Sequence, residues 1–378
     1  MEKYNVNITL RNNRQHGVGE PVYITGNFNG WDPCATLLGT LPASGEEETY
    51  LLCGVEEGDL EFKLTRGDWG SIGTTDQGKL EDLKTVFINS HTDIKLDVNG
   101  WRDEFPACTA SPQVHVLDSH FYFPALGVHR KVWIYLPEGY QQQQEHYPVL
   151  YMHDGQHLFD EATSRGRIGP VEWCVDEVID EADKKVIVVA VDHAADYKIR
   201  EREYHVHNVA GVTNAQGWDY LEDIVQVLKP YIDTHYRTLP DRSHTAIAGS
   251  SLGGLLNIFA GLRYPHILGS VGVLSPSIWL NRDGLMAEID AFQTAESKLD
   301  TLPEQQYYFY CGGNENRRVS DTSTVPMVDD MLAVIEELKR TRSLTIEQRI
   351  LPVGRHGALY WQKEFPNFYR WWLAQMNR

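Results

Sequence analysis

Ser251 stands at the centre of the run Ala248-Gly249-Ser250-Ser251-Leu252-Gly253-Gly254, after a short apolar stretch and before apolar residues at helical spacing: Leu252, Leu255, Leu256, Phe259 and Leu262. A serine on a sharp strand-to-helix turn projects its hydroxyl from the sheet edge, with the amino end of a helix behind it. Small neighbours at Gly249 and Gly253 let the chain bend there without a side-chain clash. Gly-x-Ser-x-Gly alone is weak evidence in a chain with 31 glycines. The strand before it and the helix after it make it a candidate nucleophile elbow.

A serine hydroxyl needs a base to take its proton, and a third group to hold that base. In the chain order nucleophile, acid, histidine, the only histidine late in the chain is His356, in Val353-Gly354-Arg355-His356-Gly357. It directly follows a strand-like stretch ending at Leu351, where a catalytic histidine loop belongs. The acid should follow the preceding strand, which runs into Gly312-Gly313-Asn314-Glu315-Asn316. Glu315 leads, Asp321 competes from a loop rich in Ser and Thr, and a Ser-His dyad without an acid is the third reading.

The developing oxyanion needs backbone donors, each contributing on the order of 3 kcal/mol. Leu252 N–H, next to the nucleophile, is one. The other is expected from His153-Asp154-Gly155-Gln156-His157, where Gly155 lets the backbone turn inward, so the amide of Gly155 or Gln156 is the candidate. His153, Asp154 and His157 read as hydrogen-bonding partners that stabilise this loop, because no further ligand cluster completes a metal shell. No cofactor and no metal is expected.

These groups need a scaffold, and two patterns supply it. Through the first hundred residues, short alternating segments at 22–25, 50–52, 60–64 and 93–98 are separated by Gly, Asn and Asp turns, a β-sandwich signature. From about residue 112, strand-like runs at 131–136, 148–152, 186–191, 245–248, 270–274, 306–311 and 344–351 alternate with helical ones at 171–181, 220–235, 251–264, 327–341 and 365–375. That alternation makes an α/β domain, a mostly parallel, doubly wound sheet with helices on its faces. The expected organisation is a β-sandwich over 1–105, a linker over 106–113 and a catalytic domain over 114–378.

Several motifs in order resemble one family: Tyr147-Pro148-Val149-Leu150-Tyr151-Met152-His153-Asp154-Gly155-Gln156, Arg200-x-x-Glu203-Tyr204, Tyr231-Ile232-Asp233-Thr234-His235-Tyr236-Arg237 and the elbow itself. Over 114–378 the chain resembles the esterase D-like branch of the α/β-hydrolases, which includes feruloyl and enterochelin esterases. The resemblance implies an eight-stranded sheet and the triad Ser251, His356 and Glu315, with Glu315 standing where feruloyl-esterase-like relatives often carry Asp. It also implies that Ser275-Pro276-Ser277-Ile278-Trp279 lines the cleft, with Trp279 either a substrate wall or an aromatic buried under the loop. Arg200 and Glu203 are expected to pair with each other. In the first hundred residues, Val22-Tyr23-Ile24-Thr25-Gly26-Asn27-Phe28-Asn29-Gly30-Trp31-Asp32-Pro33 and the segment through Trp69 resemble starch- and glycogen-binding carbohydrate modules. Trp69 is then the candidate glycan platform and Trp31 a core residue. The Asn-Arg pair and second tryptophan of starch-binding relatives have no counterpart after Trp69, so a structural or dimer-forming lid is the alternative.

The expected function is a serine carboxylesterase cleaving small or carbohydrate-linked esters. A peptidase or thioesterase using the same triad, or a non-catalytic glycan-binding protein, are the other readings. A formal charge of −19 repels phosphate backbones and anionic membranes, so nucleic acid and membrane are not expected partners. Five scattered cysteines, no apolar run near the roughly 20 residues of a membrane span and no apolar leader lead to the expectation of a cytoplasmic protein with reduced thiols. Pairing of sandwich edges would give a homodimer.

Overall fold

In the computed structural model, which describes residues 2–166, 168–296, 304–320, 323–341 and 343–376, the chain forms two compact units. One holds the residues up to Thr109 together with Glu161–Val171; the other holds Ala110–Asp160 and the chain from Glu172 onward. The segment Glu161–Val171, which the sequence reading places inside 114–378, is thus part of the first unit. Its first residue is tied there twice: the Glu161 carboxylate pairs with Arg102 at 2.7 Å, and its N–H donates to Thr109 Oγ1 at 2.8 Å.

In the first unit, Lys3–Asn12 lies between Glu47–Glu56 and Thr92–Val98 in one sheet. Leu37–Thr40, Pro21–Gly26, Gly58–Thr65 and Lys84–Ile88 form a second. Alternate residues Val6, Ile8 and Leu10 of the first strand meet Val22, Ile24, Leu60 and Phe62 of the other sheet in one core, which is what period-two patterning dictates. Trp31 is buried.

The second unit is built on an eight-stranded sheet in the order Val114–Phe123, Val128–Tyr135, Ile187–Val191, Val149–His153, Thr245–Ser250, Ser270–Leu274, Gln305–Gly312, Leu344–Leu351. The first two strands pair antiparallel, the second meets Ile187–Val191 antiparallel, and the remaining six run parallel. The central strands are apolar over most of their length and buried on both faces, because helices cover both sides of a parallel sheet. Two apolar clusters, one on each face, result. This is the α/β-hydrolase arrangement, eight strands included.

The helical run expected over 220–235 is continuous from Gly217 to His235 but opens into a wider π turn at Ile224–Leu228. Pro230 lies two residues beyond that turn, and its missing N–H and bulky ring explain the widening. No described helix is long and apolar enough to cross a membrane.

Candidate active site

Ser251 joins the strand Thr245–Ser250 to the helix Leu252–Arg263 with φ 56° and ψ −119°, a conformation that costs on the order of 1–3 kcal/mol for a residue with a side chain. Its backbone is pinned on both sides: the Ser251 N–H donates to Leu274 O at 3.0 Å, and its carbonyl accepts Ser277 N–H and Leu255 N–H, each at 3.0 Å. The glycines around it are dictated by the layer below. A Cβ on Gly249 would sit 2.8 Å from His153 Cδ2, and one on Gly254 would sit 2.8 Å from Leu274 O.

Residues far apart in the chain converge above this turn, because each follows a parallel strand of the same sheet and leaves it at the same edge. His356, in the loop after Leu344–Leu351, places Nε2 3.0 Å from Ser251 Oγ. Its Nδ1 lies 2.8 Å from Glu315 Oε2. Glu315 follows Gln305–Gly312 and is 1 % exposed. Its other oxygen, Oε1, accepts Gly312 N–H at 2.7 Å and the Ser275 hydroxyl at 2.6 Å. Ser275 Oγ in turn accepts Trp361 Nε1–H at 2.9 Å, and the Trp361 ring stands edge-on to His356 with centroids 5.1 Å apart. Three donors around one carboxylate fit an ionised acceptor that fixes the imidazole tautomer. Asp321, the competing acid, lies outside the described residues.

Leu252 is the first residue of its helix, so its N–H has no intrahelical acceptor. Asp154 takes a left-handed conformation, φ 59°, and is held there by a forked ion pair to Arg200, 2.7 Å at both oxygens. Burial alone would raise the Asp154 carboxyl; the guanidinium outweighs it and holds the group well below the usual carboxylate range. Of the two amides named as the second oxyanion donor, that of Gln156 faces the Asp192 carboxylate. The Gly155 N–H has no acceptor among the described residues. Burial pushes the Asp192 carboxyl up to about 6 against the opposing hydrogen bond from Trp133 Nε1–H, 2.7 Å long.

His153, the last residue of the strand Val149–His153, bridges the helices Gly217–Asp223 and Leu252–Arg263. Its Nδ1 meets Tyr220 Oη at 2.9 Å and its Nε2 meets Asn257 Oδ1 at 2.7 Å, while Asn257 Nδ2 donates to Gly272 O at 2.9 Å. Burial lowers the His153 imidazole to about 4. Its ordinary value is about 6.5, so between pH 6.5 and 4 the unfolded chain binds a proton here that the folded chain refuses. Stability is therefore complete above about pH 6.5 and falls as the pH drops toward 4, on the order of 3 kcal/mol for this group. Denaturant unfolding at a series of pH values should show a slope about one proton shallower in His153→Gln over that window; an unchanged slope would contradict the assignment.

The expected pairing of Arg200 with Glu203 is not made. Arg200 reaches across to Asp154, and Glu203 pairs with Arg130, because the two side chains of helix Tyr197–Tyr204 face different neighbours. Trp279 is 42 % exposed, in the turn Ile278–Leu280, which excludes the reading of an aromatic buried under its loop. In the first unit, Trp69 is half-buried and lines a cleft of about 660 Å3 with Arg102, Phe105, Gly166 and Gly169.

Ser275 and Ser277 were expected only as members of the loop lining the cleft, without individual roles, and Trp361 was not singled out from the sequence. The strand register supplies the missing signal: Ser250 pairs with Leu274, so whatever follows Leu274 must lie beside Ser251.

Comparison with known proteins gives the following. The family model described as Putative esterase matches residues 124–371. The uncharacterized protein YbbA of Bacillus subtilis is 23% identical over 258 residues, covering 66% of this chain and 94% of that protein. The Iron(III) salmochelin esterase of Escherichia coli O6:H1 is 31% identical over 166 residues, 41% of this chain and 35% of that protein, so the match spans about a third of that relative. Among solved structures, the enterobactin esterase FES from Shigella flexneri superimposes with a TM-score of 0.53 at 15% identity, over 96% of this chain and 90% of that one.

Proposed function

We propose that this chain, which belongs to the Putative esterase family, is a serine carboxylesterase that hydrolyses small or carbohydrate-linked carboxylic esters through an acyl-enzyme on Ser251. The observation that carries the reading is the unbroken relay from Ser251 Oγ to His356 Nε2, 3.0 Å, and from His356 Nδ1 to Glu315 Oε2, 2.8 Å.

With the Nδ1 proton committed to Glu315, Nε2 carries a lone pair and accepts the Ser251 proton as Oγ attacks the ester carbonyl. The carbonyl electron pair moves onto its oxygen, stabilised by the N–H groups of Leu252 and Gly155. Collapse of the tetrahedral intermediate expels the alcohol, which takes the proton from His356 Nε2. Water then repeats the sequence on the acyl-enzyme. Glu315 holds the tautomer throughout and stabilises the imidazolium. Trp279, exposed two residues beyond Ser277, offers an apolar wall to the substrate.

Peptidases and thioesterases use the same relay, so the bond cleaved has to be measured. A panel of p-nitrophenyl esters of increasing acyl length, acetylated sugars, the corresponding thioesters and p-nitroanilides should show turnover of oxygen esters, fastest with short acyl groups. Turnover confined to anilides or thioesters would overturn the ester reading.

A further inference from the structure

The nucleophile has a second hydroxyl beside it. Ser277 Oγ lies 3.1 Å from Ser251 Oγ, and Ser277 is 5 % exposed. Its position is fixed by the turn it occupies: its N–H donates to Ser251 O at 3.0 Å, and its carbonyl accepts Leu280 N–H at 3.1 Å. Among the described residues its hydroxyl has no hydrogen-bond partner other than Ser251 Oγ.

Counting protons gives this contact a direction. The Glu315 carboxylate accepts the Nδ1 proton of His356, so Nε2 is an acceptor, and the single hydrogen of Ser251 must point to it. Ser251 then has no hydrogen left for its neighbour. Ser277 must be the donor and Ser251 Oγ the acceptor.

We propose that Ser277 is a catalytic residue whose hydroxyl donates to Ser251 Oγ and assists its departure when the acyl-enzyme is hydrolysed. The inference rests on the reading of Ser251 as the nucleophile. In the free enzyme Ser251 Oγ is a hydroxyl oxygen and already accepts this bond, so keeping it while Oγ attacks the ester gains nothing for acylation. In the acyl-enzyme Oγ is an ester oxygen, a poor acceptor, and the bond is weakened. During deacylation the water oxygen bonds to the acyl carbon and its proton passes to His356 Nε2. The tetrahedral intermediate then collapses: the bond from the acyl carbon to Oγ breaks, its electron pair goes to Oγ, and Oγ takes the proton from Nε2. As charge builds on Oγ the Ser277 hydrogen bond strengthens, while its proton stays on its own oxygen. A donor whose interaction is stronger in the transition state than in the preceding ground state accelerates that step.

The test is rapid-mixing hydrolysis of p-nitrophenyl acetate by the full chain, which separates the burst of p-nitrophenol from the steady state. For Ser277→Ala the burst rate constant should stay within about threefold of the parent, while the steady-state rate falls roughly ten- to hundredfold, the range expected for a hydrogen bond to a charged group. Ser277→Thr, which restores the hydroxyl, should recover most of the deacylation rate. Should Ser277→Ala fail to fold, Ser277→Gly carries the same expectation. Equal loss in both phases, no loss in either, or no recovery in Ser277→Thr would overturn the role of Ser277. Absence of any acylated Ser251 in the parent chain would instead overturn the reading of the nucleophile itself.

Discussion

Ser251→Ala is expected to lower the hydrolysis of p-nitrophenyl acetate by roughly six orders of magnitude, the loss seen when the nucleophile of such a relay is removed. The substitution removes one oxygen and nothing that holds the turn. Alanine keeps the Cβ, and the backbone bonds that pin residue 251 at φ 56°, donated to Leu274 O and accepted from Ser277 N–H and Leu255 N–H, are untouched. The His153 and Asn257 layer beneath Gly249 also stays in place. The thermal midpoint should therefore move little while activity disappears, and steady-state kinetics with a thermal melt on the same sample checks both. An unfolded variant would show that the hydroxyl stabilises the turn. A folded variant with activity within about a hundredfold of the parent would show that another group attacks the ester.

Glu315→Gln should cost about four orders of magnitude in kcat, through the tautomer of His356 rather than through packing. The geometry decides which way the amide lies. Gly312 N–H and the Ser275 hydroxyl both donate to the Oε1 position, so the carbonyl oxygen of the glutamine belongs there and its NH2 faces His356 Nδ1. Nδ1 is then forced to accept, the imidazole proton moves to Nε2, and Nε2 loses the lone pair that takes the Ser251 proton. Binding of the uncharged ester should change far less than kcat, so the KM and kcat effects separate. Full activity in Glu315→Gln would place the acid function outside this carboxylate.

Much of this was legible in the sequence because local patterning carried it. The elbow announces itself through Gly249 and Gly253 around Ser251, and the sheet through apolar runs such as Ile187–Val191 that fit only a strand buried on both faces. The histidine loop follows from chain order. What escaped was fixed by long-range contacts. Helix Tyr197–Tyr204, with sequence YKIREREY, looks like a solvated segment, yet it buries Arg200, Glu203 and Tyr204 against partners more than forty residues away. Helix Arg282–Glu296 carries only Leu285, Ile289 and Phe292 as its buried stripe, diluted by polar residues. The expected helix over 171–181 begins at Val175, and Val171, where it was expected to start, belongs to the first unit. Ser277 was legible only as part of a loop lining the cleft, and it took the strand register to place it beside the nucleophile.

The claim on which everything else depends is that Ser251 Oγ becomes covalently bonded during turnover. Labelling the folded chain with a fluorophosphonate, followed by peptide mapping, tests it directly. One phosphonyl group should appear on Ser251, with matching loss of esterase activity and no labelling in Ser251→Ala. A chain that hydrolyses esters while Ser251 stays unmodified, with the label on another residue or absent, would contradict the account.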